Sequence, residues 1–166
     1  MDASVNREEA FLEEQIVALM REKNLTLAAA ESCTGGMLSS RMIDVAGVSD
    51  VYKAGFVTYA NEAKQKLIGV KEETLMKYGA VSEQTAREMV AGALRAAEAD
   101  MAVAITGIAG PGGGTKEKPV GLVYIACGSP DEIVVDKCQF NGSRKGIRQA
   151  SVEHALGMLY KEIMKK

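Results

Sequence analysis

Apolar positions along the chain change period several times, and each change marks an element. Over residues 6–23, Leu12, Ile16, Leu19 and Met20 fall on one side, and Asn6 followed by Glu9 imitates a capping box, so the pattern predicts an amphipathic first helix. An apolar strand over 25–30 then runs into a polar turn at Ser32 and a helix over about 36–45 that stops before Gly47. Residues 51–59 read as a second strand, after which Asn61 can cap a short helix carrying Lys64 and Leu67 and ending by Gly69. Another short helix over 72–78 ends on Gly79, and Ser82 caps a longer one through Met89, Val90 and Leu94 to about residue 99. Residues 101–106 are continuously apolar, as in strands buried on both faces, and discharge into the glycine-rich stretch 107–114. Strands over 120–128 and 133–140, joined by Ser129, Pro130, Asp131 and Glu132, predict an antiparallel hairpin; a last helix over 143–165 closes the chain.

Alternating helices and buried strands with a terminal hairpin predict a three-layer α/β/α sandwich on a mixed, mostly parallel sheet. A single domain over residues 1–166 accommodates it, large enough to bury a core without disulfides or metal. In such sheets a ligand sits outside the carboxyl ends of the strands, where the turns at Ser32, at Tyr59 to Lys64 and at 107–114 can converge.

Composition removes several classes of function. A net charge of -2 with both signs interspersed offers no basic face for a nucleic-acid backbone, and with no Trp and few aromatics there is no platform for stacked bases. No basic-then-apolar start and no apolar run long enough to span a bilayer are found, so the expectation is a soluble, cytoplasmic protein away from membranes. The three cysteines, Cys33, Cys127 and Cys138, are odd in number and widely spaced, and the chain has one histidine, which argues against a disulfide framework or a zinc site.

The candidate chemistry gathers at strand ends. Ser32, between an apolar strand and a glycine-led helix, has the setting of a nucleophile elbow; the plain alternative is a helix cap. Cys33 beside it could be the nucleophile or a small buried filler. His154 falls among apolar positions of the last helix, which disfavours a Ser-His-Asp triad, whereas a lysine of lowered pKa can activate a serine. Lys64 is that candidate or else a solvated helix lysine, and Tyr59 could relay a proton, polarise the substrate or merely pack. The 107–114 loop matches neither a dinucleotide fingerprint nor a phosphate-binding Walker loop, yet its backbone N–H groups suit a phosphate or carboxylate. Arg144 and Arg148, four apart at the start of the last helix, share a face that suits bidentate contact with a phosphate, or simply a solvated one. Val48, Val51 and Tyr52 are apolar positions that could form a subunit contact or be ordinary surface.

Five stretches taken together resemble the CinA carboxy-terminal domain family, whose stand-alone members are nicotinamide-nucleotide amidases. They are Ala30-Glu31-Ser32-Cys33-Thr34-Gly35-Gly36, Val57-Thr58-Tyr59-Ala60-Asn61-Glu62-Ala63-Lys64, Gly79-Ala80-Val81-Ser82, Thr106-Gly107-Ile108-Ala109-Gly110-Pro111-Gly112-Gly113 and Lys118-Pro119-Val120-Gly121-Leu122-Val123. The resemblance implies hydrolysis of the carboxamide of nicotinamide mononucleotide to nicotinate mononucleotide and ammonia, without metal or cofactor. It implies catalytic roles for Ser32, Tyr59 and Lys64, and substrate binding by Glu31, Cys33, Thr34, Gly35, Asn61, Thr106, Gly107, Ala109, Gly110, Arg144 and Arg148. A homo-oligomer, dimer or trimer, is implied as well. Ser143 departs from the Asp frequent in the family, which bears on how the arginines are positioned. Larger members carry an amino-terminal molybdopterin-binding-like domain absent from these 166 residues, so its pyrophosphatase activity is not expected here. Two alternatives stay open: hydrolysis of another amide, and a non-catalytic nucleotide-binding module.

Overall fold

A computed structural model of the chain describes residues 10–166, so the Asn6 and Glu9 capping pair lies outside the described residues. The first helix, α1 (Leu12–Glu22), starts where the Glu14 carboxylate accepts from the Phe11 N–H at 3.0 Å. Its carboxyl end holds the chain back: the Leu25 N–H donates to Met20 O at 2.8 Å, so β1 (Leu27–Glu31) begins two residues later than the apolar run suggests.

The remaining elements are α2 (Met37–Ile43), β2 (Tyr52–Val57), α3 (Asn61–Ile68), α4 (Glu72–Tyr78), α5 (Glu83–Ala97), β3 (Met101–Gly107), β4 (Leu122–Gly128), β5 (Ile133–Gln139) and α6 (Arg144–Met164). The five-stranded sheet has the order β2-β1-β3-β4-β5. β1 pairs in parallel with β2 and β3, while β4 is antiparallel to both β3 and β5. Only β4 is therefore reversed, and β5 again runs with the first three strands. This is the mixed sheet with a terminal hairpin that the sequence predicts.

Two cores flank the sheet. On one face α1, α2 and α6 bury Ile16, Met20, Leu38, Leu156 and Leu159 against Leu27, Met101 and Ile125. On the other, Met89, Val90 and Ala93 of α5 lie with Ala28, Ala30, Ala102 and Ala104, so small strand side chains let that helix approach closely. Val51 belongs to the first core at 2% exposure, which removes it from any subunit contact.

Caps fix the helix starts beside the strand ends. Ser82 accepts from the Thr85 N–H at 3.2 Å to open α5, and Ser143 accepts from the Gly146 N–H at 3.1 Å to open α6. Asn61 does not cap α3: Ala60 holds the cap position, without a side-chain bond, and Asn61 is the first helical residue.

Gly92, in the middle of α5, sits against the end of α3, where an added Cβ would stand 1.8 Å from Ile68 O. A mid-helix glycine ordinarily costs about 0.5–1 kcal/mol relative to alanine, but here the overlap decides the sign. Gly92→Ala is expected to destabilise the protein by roughly 1–3 kcal/mol, read as a lower midpoint in urea denaturation. An unchanged or raised midpoint would show that α3 yields freely.

Candidate active site

The carboxyl ends of β1, β2 and β3 meet at one level. Ser32 N–H donates to Ile105 O at 2.9 Å and Thr58 N–H to Glu31 O at 2.8 Å, so each parallel pairing runs one residue past the strands themselves. Gly35 and Gly36, with φ of 57° and 98°, then swing the chain into α2. Among the described residues positive φ outside glycine occurs at Asn24 and Glu98, so Ser32 is presented on unstrained backbone, unlike the tight elbow its setting suggests.

Glu31 holds the turn from within. Its carboxylate is 1% exposed and accepts from Thr34 Oγ1 at 2.7 Å, the Leu38 N–H at 2.8 Å, the Ser39 N–H at 3.0 Å and Ser39 Oγ at 2.7 Å. Tyr52 donates to Ser39 Oγ at 2.7 Å and extends the network to β2. Glu31 thus satisfies the first N–H groups of α2 and does not line the cleft, so its contribution to a substrate is indirect.

Lys64 reaches Ser32 from α3. It is fully buried, with Nζ 3.0 Å from Ser32 Oγ, 2.7 Å from Thr58 O and 3.4 Å from Tyr59 O. Burial, with no carboxylate partnering it among the described residues, lowers its pKa to about 8. A neutral amine has two N–H bonds and one lone pair. The two carbonyls take the former, which leaves the lone pair for the Ser32 hydroxyl. Burial acts oppositely on Cys33, pushing its thiol up to about 11, so at neutral pH the cysteine is protonated and a poor nucleophile.

These groups open into a cleft of about 270 Å³. Thr106 lies at its floor and donates to Ala80 O at 2.8 Å, tying β3 to the loop between α4 and α5. Ala80 and Val81 line the cleft too. Neither carries a chemically active side chain, so their signal in the sequence is the Gly79-Ala80-Val81-Ser82 stretch of the family resemblance and not their own chemistry. Gly107 is required by space, since a Cβ there would stand 2.7–2.9 Å from Val123 and Leu122 O. Ala109, Gly110, Gly112 and Gly113 complete one wall, and among the described residues nothing accepts from their N–H groups.

The remaining expected residues separate into two sets. Tyr59 and Arg144 line the mouth: Arg144 donates to Gly110 O at 2.8 Å and to Tyr59 Oη at 3.1 Å. The Tyr59 ring is thus turned toward Arg144, and what this residue offers Lys64 is its carbonyl. Asn61, Thr34, Gly35 and Arg148 are not part of the lining. Arg148 instead donates to Cys33 O at 3.0 Å and Thr34 O at 2.9 Å, behind the turn. Lys64 and Arg144 are the ionisable side chains of the lining apart from Cys33 and Tyr59, and no carboxylate joins them, so the cleft favours an anion. His154 lies elsewhere, 2.7 Å from Asp136 Oδ2 and edge-on to Phe140. Among the described residues no group of three or more His, Cys, Asp or Glu could hold a metal, and no helix is long and apolar enough to cross a membrane.

The sequence profile of the CinA C-terminal domain matches residues 9–163. The chain belongs to the CinA C-terminal domain family. A CinA-like protein of Kosmotoga olearia is 49% identical over 156 residues, which make up 94% of this chain and 38% of the relative. The CinA domain described here thus spans well under half the length of the curated relatives it matches. Among solved structures, the competence/damage inducible protein CihA of Agrobacterium tumefaciens superposes with a TM-score of 0.88 at 45% identity, over 90% of this chain and 92% of that one. A CinA-superfamily protein of Klebsiella pneumoniae gives 0.90 at 34% identity over 97% and 99%.

The Glu31 network predicts a structural cost. Glu31→Ala leaves the Leu38 and Ser39 N–H groups without their acceptor in a buried turn, and is expected to destabilise the domain by at least about 2 kcal/mol. Guanidinium denaturation measures it, and a loss under about 0.5 kcal/mol would mean that water replaces the carboxylate without penalty.

Proposed function

We propose that this CinA domain is a serine amidase that converts nicotinamide mononucleotide to nicotinate mononucleotide and ammonia, in the cytoplasm and as a homo-oligomer. The observation that carries the reading is the buried Lys64 Nζ at 3.0 Å from Ser32 Oγ, with its other contacts spent on two carbonyls. The substrate class follows from the family resemblance, and the basic cleft with its unpartnered loop N–H groups is consistent with a phosphate-bearing ligand.

Neutral Lys64 takes the Ser32 proton as Oγ attacks the carboxamide carbon, and the carbonyl oxygen becomes an oxyanion. The C–N bond then breaks, Lys64 gives its proton to the leaving nitrogen, and ammonia departs from an ester on Ser32. Water attacks that ester while Lys64 accepts its proton; the C–Oγ bond breaks, the proton returns to Ser32, and nicotinate mononucleotide is released. The oxyanion needs a donor beside the nucleophile. The Cys33 N–H follows Ser32 directly and has no acceptor among the described residues beyond its own thiol. Phosphate binding by the glycine loop and Arg144 would supply remote binding energy that orients the carboxamide.

Ammonia release from nicotinamide mononucleotide tests the reading directly. Ser32→Ala and Lys64→Met should each lose at least about a thousandfold in kcat while folding normally, whereas Cys33→Ala should stay near wild type. Retained turnover in either of the first two would overturn the mechanism. Wild-type binding of the nucleotide without ammonia would favour a non-catalytic binding module instead.

A pH profile supplies a second test. With a lysine pKa of about 8, only about a tenth of the enzyme holds the neutral base at pH 7. Activity should therefore rise as pH increases through about 8 and level off above it. A profile that falls over this range excludes neutral Lys64 as the base.

A further inference from the structure

Arg148 reaches the nucleophile turn without lining the cleft. Its Nε and Nη2 each hold a carbonyl, Cys33 O and Thr34 O, 115 and 114 residues away in the chain. The Cys33–Thr34 and Thr34–Gly35 peptides are trans, so in each the N–H points opposite to the carbonyl. With Thr34 O drawn toward α6, the Gly35 N–H is turned inward and donates to Ser32 O at 3.0 Å. That bond fixes the Ser32–Cys33 peptide in turn, and its far side is the Cys33 N–H. Cys33 lines the cleft, and among the described residues nothing beyond its own thiol is placed to accept from that N–H.

We infer that Arg148 is a positioning residue: by forking onto the carbonyls of Cys33 and Thr34 it locks three consecutive peptides so that the Cys33 N–H faces the oxygen of the reacting carbonyl as the oxyanion donor. This rests on the serine-amidase reading for its reaction, but the geometry it claims belongs to Ser32 and its turn whatever the acyl group. The fork is needed because one donor could hold one carbonyl and leave the next peptide free to rotate. The guanidinium also polarises the Thr34–Gly35 peptide, which strengthens the Gly35 N–H as the donor to Ser32 O and, through that bond, the Cys33 N–H. A role as phosphate anchor, which the spacing with Arg144 suggests, would have to use the Nη1 and second Nη2 donors that the carbonyls leave free, on a side chain outside the cleft lining.

Steady-state kinetics of Arg148→Gln and Arg148→Lys on nicotinamide mononucleotide separate these roles. An oxyanion donor acts on the transition state, so Arg148→Gln should lose on the order of a hundredfold in kcat with KM within about twofold of wild type. Arg148→Lys, which keeps the charge and loses the fork, should recover only part of it and serves if the glutamine variant folds poorly. A raised KM with kcat retained overturns the inference and assigns Arg148 to the phosphate.

A readout that needs no turnover is binding of pyridine-3-boronic acid by calorimetry and boron NMR. The Ser32 hydroxyl adds to boron and its proton passes to Lys64, leaving a tetrahedral anionic boronate whose oxygen occupies the oxyanion position. Wild type should form the adduct, Ser32→Ala should not, and Arg148→Gln should bind on the order of a hundredfold more weakly. Wild type that forms the adduct yet releases no ammonia from the mononucleotide overturns the amidase reading alone, and the boronate affinities still decide the role of Arg148. Equal affinity in wild type and Arg148→Gln, or no adduct in wild type, overturns the inference.

Discussion

A lysine taken fully out of water, with no carboxylate to meet it among the described residues, is the constraint on which this structure turns. Burial there disfavours the ammonium, and with no ion pair to offset it the pKa drops to about 8, so Lys64 gives up its proton far more readily than a solvated lysine. A carboxylate beside Lys64 would raise its pKa and spoil it as a base. The nearest acid in sequence to Ser32 is Glu31, and its four hydrogen bonds on the α2 side keep it occupied there. The two residues at the end of β1 therefore serve opposite faces: one carboxylate buried with donors, one hydroxyl turned toward a base.

The sheet makes that separation possible. Side chains alternate across a strand, so Glu31 and Ser32 must point to different layers. α2 lies in one layer and α3 in the other, and each supplies what its neighbour on β1 requires: N–H groups for the carboxylate, an amine for the hydroxyl. α6 then reaches the site at two points, with Arg144 on the glycine loop and Tyr59 at the mouth and Arg148 behind the Ser32 turn. The last helix of the chain thus closes a site opened by its first strand.

Much of this was legible in the sequence because it depends on local pattern. The buried run before the 107–114 glycines, the Ser82 cap and the hairpin over β4 and β5 sit where periodicity and turn chemistry place them. Ser32, Lys64 and the loop could be named as candidates, since their residue types and strand-end positions suffice for that. What could not be read is direction. Nothing in spacing distinguishes a solvated Lys64 from a buried one, or tells that Arg144 faces the cleft while Arg148, one turn on, faces carbonyls. Spacing sets Asn61 one residue from its true place at a helix start, because Ala60 caps α3 without a side chain. Val51 read as surface because its burial depends on α1 and β1, both distant in the pattern.

The contact of Gly92 with the carbonyl of Ile68 bears on how the base is held in place. Side-chain packing is compliant: rotamers shift, methyl groups slide, and a helix can drift by tenths of an ångström at small cost. Two backbones pressed together have no such slack, because repulsion between main-chain atoms rises steeply and offers no alternative conformer. The helix that carries Lys64 therefore rests against a hard stop, and its distance from Ser32 is set by a mechanical limit and not by the balance of many soft contacts.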